Sequence, residues 1–148
     1  MKLVADTNVL VSGFLQPRGP SGQIVRAIAQ GAIRLFFDAR ILEEYREVLL
    51  RPKFTFRPAD VASFLDQVRS LGTPVAASPL SIQLLDPDDT PFLEVALSAR
   101  ATYLVTGNRR HFPESPLEIL KIVTPREFLE QGYPSHPSAA TSRSASLP

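Results

Sequence analysis

The sequence contains no cysteine, and this absence excludes several classes of site. Disulfides, zinc–thiolate sites, iron–sulfur clusters and cysteine nucleophiles all require thiols. No apolar run reaches the roughly 18 residues that a membrane-spanning helix needs, so no membrane partner is expected. The apolar start of the chain meets Asp6 too early to form a secretory signal peptide. We therefore expect a cytoplasmic protein.

Net charge is also nearly absent from the chain. Sixteen Lys and Arg residues stand against 15 Asp and Glu residues, which gives +1 at neutral pH. This balance argues against a broad basic surface that holds nucleic acid by charge alone. A total does not show how the charges are sorted, so a local site for a phosphate group is not excluded.

The length of 148 residues fits one domain with a single core. Beyond Tyr133 the composition changes, because residues 134–148 include no acid and only one large apolar residue, Leu147. Such a segment cannot bury enough apolar surface to become ordered. We predict one domain over residues 1–132 and a flexible tail, rich in proline, serine and alanine, over residues 133–148.

Alternating strand and helix patterns predict the fold class. Short apolar runs indicate strands at residues 2–5, 34–37, 81–85, 103–106 and 119–123. Apolar positions spaced three and four apart indicate helices at residues 9–14, 22–30, 39–50, 58–71 and 91–100, with another beginning at Pro125 behind a Thr124 cap. The alternation predicts an α/β fold in which helices cover both faces of a mostly parallel sheet.

Polar groups follow three of the predicted strands. Asp6, the acidic turn at residues 86–89, and Asn108 each come directly after an apolar run. The carboxyl ends of parallel strands form the edge where ligands bind in open α/β sheets, so these groups should line one edge. Glu44 lies on the flank of an apolar helical stripe, between Ile41 and Val48, and should face the rim of the core.

Several carboxylates held together repel one another, and a cation relieves that repulsion. Oxygen ligands without cysteine point to Mg²⁺ or Mn²⁺ rather than zinc. Each acid also has an ordinary role open to it. Asp6 could simply cap a helix, the acids at 86–89 could make a turn, Glu44 could be solvated, and Asn108 could form a tight turn after glycine. Glu94 is predicted to point outward from its helix.

With these residues located, the sequence resembles the PIN-domain ribonucleases, in particular the bacterial toxin–antitoxin type. The resemblance covers about residues 1–131 and rests on four blocks in order along the chain. These blocks are LVADTNVL at 3–10, LEEYREVL with RPKF at 42–54, DPDDTPFLEVA at 86–96 and YLVTGNRRHF at 103–112. The family fold implied is a three-layer α/β/α sandwich around a mostly parallel sheet.

The resemblance implies hydrolysis of RNA phosphodiester bonds by a water activated on one or two Mg²⁺ or Mn²⁺ ions. Asp6 would be the central metal ligand, Asp89 a second, and Glu44 a ligand directly or through water, with Asn108 positioning a water or the metal. Four residues would support the site or the phosphate, namely Thr7, Asn8, Asp88 and Thr106. Basic residues near two of the blocks are candidates for the RNA backbone or for solvated loops, namely Arg109, Arg110, His111, Arg51, Lys53 and Arg57. An antitoxin partner and a homodimer are also implied.

One residue departs from the family pattern, because Asn108 stands where the family often has Asp. An uncharged amide should hold a second metal more weakly, unless Asp88 or the phosphate supplies the charge. A domain that has lost catalysis and serves to bind RNA or a partner therefore stays open. An aspartyl-phosphate phosphatase is less favoured, because it needs an acid where Asn8 stands. A receiver domain needs a second acid beside Asp6, and a dinucleotide site needs a Gly-x-Gly-x-x-Gly motif that is missing.

Overall fold

The computed structural model describes residues 1–80, 84, 86–113 and 120–131. The predicted tail at 133–148 lies outside the described residues. Most of the predicted strand at 81–85 also lies outside them, and its described residue, Leu84, is not in a strand. No helix among the described residues is long and apolar enough to cross a bilayer.

Five parallel strands form one sheet in the order β3-β2-β1-β4-β5. Their bounds are Lys2–Ala5 for β1, Arg34–Phe37 for β2, Thr73–Pro74 for β3, Tyr103–Val105 for β4 and Lys121–Val123 for β5. The predictions for β1 and β2 are confirmed, and β4 ends one residue earlier than predicted. The last strand begins later than residue 119, since the described residue Leu120 precedes it. The sequence did not predict β3, a two-residue strand that ends in proline at the edge of the sheet.

Six helices surround the sheet in the described part of the chain. Their bounds are Thr7–Leu15 for α1, Pro20–Ala29 for α2, Ala39–Leu49 for α3, Pro58–Leu71 for α4, Thr90–Ala99 for α5 and Pro125–Gln131 for α6. Single 3₁₀ turns occur at Pro52–Phe54, Pro87–Asp89 and Arg109–His111. The Thr124 cap of α6 is confirmed, because its hydroxyl accepts from Glu127 N while Glu127 accepts from Thr124 N. All six predicted helices are present, with ends shifted by up to two residues.

The strand order explains the three-layer α/β/α arrangement. The connection from β1 to β2 and the connection from β3 to β4 run in opposite directions along the sheet. Right-handed crossovers therefore place α5 on the face opposite α1 and α2. The core fills the space between the layers and includes fully buried Leu3, Leu35 and Leu104 from the strands. After β1 the chain crosses toward β2, and this leaves a crevice at the carboxyl ends of β1 and β4.

The prediction that Glu94 points outward is wrong. Glu94 is 7% exposed and accepts hydrogen bonds from the Arg40 guanidinium at 2.8 Å and from Leu80 N at 2.8 Å. The prediction from helical periodicity assumed that one side of α5 is exposed to solvent. The segment near Ser78 and Leu80 instead lies over that side, since Ser78 N also donates to Ser98 Oγ of α5 at 2.9 Å. The carboxylate of Glu94 therefore holds this segment onto α5.

Candidate active site

The crevice between β1 and β4 brings two predicted groups together. Asp6 follows β1 directly, and its backbone N–H donates to Val105 O at the end of β4 at 2.9 Å. Thr106, Gly107 and Asn108 follow β4 and continue along the same edge. The predicted meeting of these polar groups at the carboxyl ends of the strands is therefore present in the fold for β1 and β4.

Asp6 is a buried carboxylate held by three donors. Its side chain accepts from Thr7 N at 2.8 Å, from Thr106 Oγ1 at 2.7 Å and from Asn8 Nδ2 at 3.3 Å. It caps α1, as its position suggested, but one oxygen is also bound by Thr106 from across the crevice. Burial raises the pKa of Asp6, and the hydrogen bonds from Thr106 and Thr7 oppose that rise. These bonds fix the carboxylate at the edge of the sheet.

Glu44 reaches the same edge from α3. The Tyr45 hydroxyl donates to Ala5 O at 2.6 Å, and this buried bond holds α3 against the end of β1. The Thr7 hydroxyl donates to Glu44 Oε2, so Thr7 bonds Asp6 through its N–H and Glu44 through its side chain. Partial burial is the main cause of a raised pKa at Glu44, and the charge of Asp6 adds to it. Glu44 faces the rim as predicted, while Glu43 and Glu47 are exposed.

Asp89 is a second buried carboxylate, at the start of α5. It is 7% exposed, and although it occupies the N-cap position its side chain makes no capping hydrogen bond. Its Oδ2 lies 3.2 Å from His111 Nδ1. Burial, followed by the charges of Asp6 and Asp86, raises the pKa of Asp89 to about 6. The two acids therefore interact electrostatically across the crevice.

His111 joins the acids, which the sequence did not predict. Ligand atoms of Asp86, Asp89 and His111 all lie within 4.8 Å of one another, and in the described part of the chain this is the group with metal-ligand spacing. The sequence predicts that His111 contacts RNA or belongs to a solvated loop, because it lies in a basic run after the fourth strand. The 3₁₀ turn at Arg109–His111 brings its ring beside Asp89, and its contact with RNA stays a prediction. The position of a histidine three residues after Asn108, on the loop that closes the same edge, was the available signal.

The predicted supporting residues divide into two groups. Thr106 Oγ1 accepts from Asn108 N at 3.0 Å, and Asn8 Oδ1 accepts from Gly107 N at 3.0 Å, so these residues join the α1 start to the loop after β4. A Cβ on Gly107 would lie 3.3 Å from Asn8 Oδ1, which is a tight fit. Asp88 is exposed. Its backbone N–H donates to Asp86 Oδ1 at 2.9 Å, and its negative charge adds to the raised pKa of Glu44.

Asn108 is exposed at the junction of two open cavities. One, of about 520 Å³, includes Asn8, Ser12 and Arg126 in its lining. The other, of about 590 Å³, includes Arg110, His111 and Thr124. Gly107, Asn108 and Thr124 line both cavities, so the two are adjacent. His111 is in the lining of the second cavity, whereas the carboxylates of Asp6, Glu44, Asp86 and Asp89 are not among the residues that line either one.

Most of the predicted basic residues have partners within the protein. Arg109 pairs with Glu127 at 2.7 Å, and Arg51 pairs with Glu47 at 2.9 Å. The Lys53 ammonium lies 5.1 Å from the centre of the Phe54 ring. Arg110 is exposed in the wall of the second cavity, which makes it the best placed of the group to meet a phosphate.

Part of the donor set at this edge has the spacing of metal ligands. Asp86 and Asp89 lie at that spacing with His111, whereas Asp6 and Glu44 lie outside the group. Asp6 interacts through its charge with Asp86, Asp89 and Glu44. Carboxylate oxygen is the ligand that Mg²⁺ and Mn²⁺ prefer. Burial is the main cause of the raised pKa values of Asp6, Glu44 and Asp89, and a bound cation would favour their charged forms.

Comparisons with known proteins bear on the family and the fold of the chain. An uncharacterized protein of Methanocaldococcus jannaschii is 28% identical over 142 residues, covering 88% of this chain and 91% of the relative. A crystal structure of VapBC2 from Rickettsia felis, bound to a DNA fragment from their promoter, shares the fold with a TM-score of 0.51 and 17% identity. That match covers 82% of this chain and 98% of the matched chain. The family model described as PIN domain matches residues 2–110, and the chain belongs to the PIN-domain family.

Proposed function

We propose that the protein is a metal-dependent ribonuclease that hydrolyses phosphodiester bonds of RNA. The observation that carries the proposal is the pair of buried carboxylates, Asp6 and Asp89, whose charges interact, in a chain of the PIN-domain family. Buried carboxylates that share a crevice are costly to the fold and are typical of sites that hold a cation.

Asp6, Asp89 and Glu44 would hold Mg²⁺ or Mn²⁺, which when bound supplies positive charge to the scissile phosphate and lowers the pKa of a water. Thr106 and Thr7 keep the carboxylates in place by donating hydroxyl protons to Asp6 and Glu44. In the proposal Asn108, exposed beside them, donates from its amide to a phosphate oxygen or orients a water.

Binding of RNA would follow the two cavities that meet at Asn108. Arg110 would contact the RNA backbone, with Arg51 and Lys53 as a second basic group after α3. Arg109 is paired with Glu127, Arg51 with Glu47 and His111 with Asp89, so these three would contribute less charge to RNA. We therefore expect modest RNA affinity that depends strongly on the metal.

A toxin of a toxin–antitoxin pair is the biological role we infer. VapBC2 of Rickettsia felis, whose structure shares this fold, supports that inference by its likeness over 82% of this chain. Under this proposal an antitoxin would bind the chain and the chain would form a homodimer. Size measurements on the purified chain would test the homodimer.

The proposal is tested by cleavage of a single-stranded RNA in Mn²⁺ or Mg²⁺. We expect the parent protein to cut, and we expect both Asp6→Asn and an excess of chelator to abolish cutting. Asp66→Asn is the matched control, because Asp66 lies on α4 with 75% of its side chain exposed. Equal cutting by the parent and Asp6→Asn would contradict the assignment and would indicate a contaminating nuclease.

A module that binds RNA without cutting it is the second candidate, and Asn108 is the observation that favours it. In that case the parent would retain RNA but leave it intact. Cleavage that appears in Asn108→Asp would then locate the missing function at this side chain. Cleavage by the parent in the presence of metal would rule the module out.

A further inference from the structure

We propose that His111 is a direct ligand of the metal in this centre, together with Asp89 and Asp86, and that its nitrogen makes the centre prefer Mn²⁺ to Mg²⁺. The inference rests on the proposed function, because it concerns the same crevice. It adds a nitrogen ligand and a metal preference to a site for which the resemblance implied oxygen ligands alone.

The side chain of Asp89 is directed toward His111. Asp89 is buried and continues the 3₁₀ turn at Pro87–Asp89 into α5 with helical backbone angles, and Asp86 caps that turn. The Asp89 side chain makes no capping hydrogen bond, and its Oδ2 lies 3.2 Å from His111 Nδ1. The buried carboxylate therefore lies beside the imidazole.

His111 is held in place by its own backbone and by the residue that follows it. His111 N donates to Asn108 O at 2.9 Å, and Phe112, only 7% exposed, anchors the end of the turn in the core. Meanwhile 42% of the His111 side chain stays exposed, so an ion can reach the ring from the cavity. A fixed backbone with an accessible ring is suited to ligation.

The presence of Asp86 distinguishes a metal site from a simple ion pair. One carboxylate is enough to pair with a histidine, but here a second one lies within 4.8 Å of both partners. Asp86 is itself oriented, because its Oδ1 accepts from Asp88 N at 2.9 Å. Two carboxylates and one imidazole from two separate segments converge, and a divalent cation balances such a set.

The imidazole nitrogen of His111 determines which cation the site prefers. Mg²⁺ strongly prefers oxygen, whereas first-row transition ions accept imidazole readily. Mn²⁺ accepts both carboxylate oxygen and imidazole nitrogen. A His111 ligand should therefore strengthen Mn²⁺ binding and have little effect on Mg²⁺.

The test uses electron spin echo spectroscopy of Mn²⁺ bound to the full-length protein, with binding constants for Mn²⁺ and Mg²⁺ measured by titration. The chain has two histidines, His111 and His136, and His136 lies outside the described residues. His136→Ala is therefore the matched control, and after selective ¹⁵N labelling of histidine its nitrogen signal can come only from His111.

We expect a histidine nitrogen coupling in the parent and in His136→Ala, and its loss in His111→Ala. We also expect His111→Ala to weaken Mn²⁺ binding about tenfold or more and to change Mg²⁺ binding by less than about twofold. Bound Mn²⁺ without nitrogen coupling in His136→Ala would overturn the inference, even if His111→Ala fails to fold. If the parent then still cuts RNA with Mn²⁺, the proposed function stands without this ligand. If it does not bind Mn²⁺ at all, both proposals fail.

Discussion

At Asp89, burial raises the pKa to about 6 from an ordinary value of 3.8. The folded state therefore binds this proton more tightly than the unfolded chain does. The resulting stabilisation is complete below about pH 4 and is lost as the pH rises through 6. Above that pH the fold carries a buried charge that weakens it.

Replacing Asp89 by asparagine should remove this cost. We expect Asp89→Asn to raise the free energy of unfolding at pH 8 by about 1–3 kcal/mol, and to change it little at pH 4. Urea unfolding at both pH values, in chelator, measures the difference. Asp66→Asn is the control, because 75% of its side chain is exposed. An equal effect of Asp89→Asn at the two pH values would contradict the assignment of the charge.

Thr106 joins Asp6 to the loop after β4 through its hydroxyl group. Thr106→Val keeps the shape but removes a hydroxyl that donates to Asp6 Oδ2 and accepts from Asn108 N. We expect a loss of about 1–3 kcal/mol in stability and a loss of about 10-fold to 100-fold in metal affinity. The exposed Thr102→Val on the other end of β4 is the control for unfolding and titration measurements. Unchanged metal affinity in Thr106→Val would show that this bond does not position Asp6.

The elements that could be predicted from the sequence are those whose residues have the same degree of burial along their length. The apolar runs of β1, β2 and β4 are buried at nearly every position, so hydrophobicity alone indicates them. The strand β3 could not be predicted, because two residues ending in proline carry no pattern. Glu94 was wrongly predicted because a segment outside α5 covers the outer side of that helix. The spacing of apolar residues within a helix does not show which distant segments pack against it.

The same limit applies to the site. Asp6 and Glu44 could be placed because the strand end and the helical stripe fix their positions locally. The contact between His111 and Asp89 could not, because 22 residues separate them and the turn at Arg109–His111 sets the direction of the ring. Local pattern thus indicated which edge holds the site, while the partners within it depend on tertiary packing.

The packing of α2 against the loop that precedes it can be tested at Gly22. A Cβ added to Gly22 would lie 2.1 Å from Pro17 O, which is backbone and cannot move aside easily. We expect Gly22→Ala to destabilise the protein by about 2 kcal/mol or more, because α2 must shift away from the preceding loop. Gly19→Ala is the matched control, since the nearest atom to its added Cβ is 3.4 Å away. Thermal unfolding compares them, and equal melting temperatures would contradict this packing.

For the whole molecule, the net charge of +1 has to be interpreted from the positions of the charged residues. Four acids, Asp6, Glu44, Asp86 and Asp89, lie close enough to interact through their charges, while Arg109 and Arg51 are paired with Glu127 and Glu47. No broad basic surface is needed if a bound cation supplies positive charge where phosphate arrives. We therefore expect RNA binding to depend weakly on salt and strongly on divalent metal, measured by the binding of labelled RNA with and without chelator. Tight binding that persists in chelator and falls steeply with salt would contradict this view.

The proposed metal-dependent nuclease is tested most directly by the rate of RNA cleavage as a function of Mn²⁺ concentration. We predict no cleavage without metal, a rate that saturates at the concentration where Mn²⁺ occupies the protein, and loss of that rate in Asp89→Ala. A rate that is the same in chelator and in saturating Mn²⁺ would contradict metal dependence.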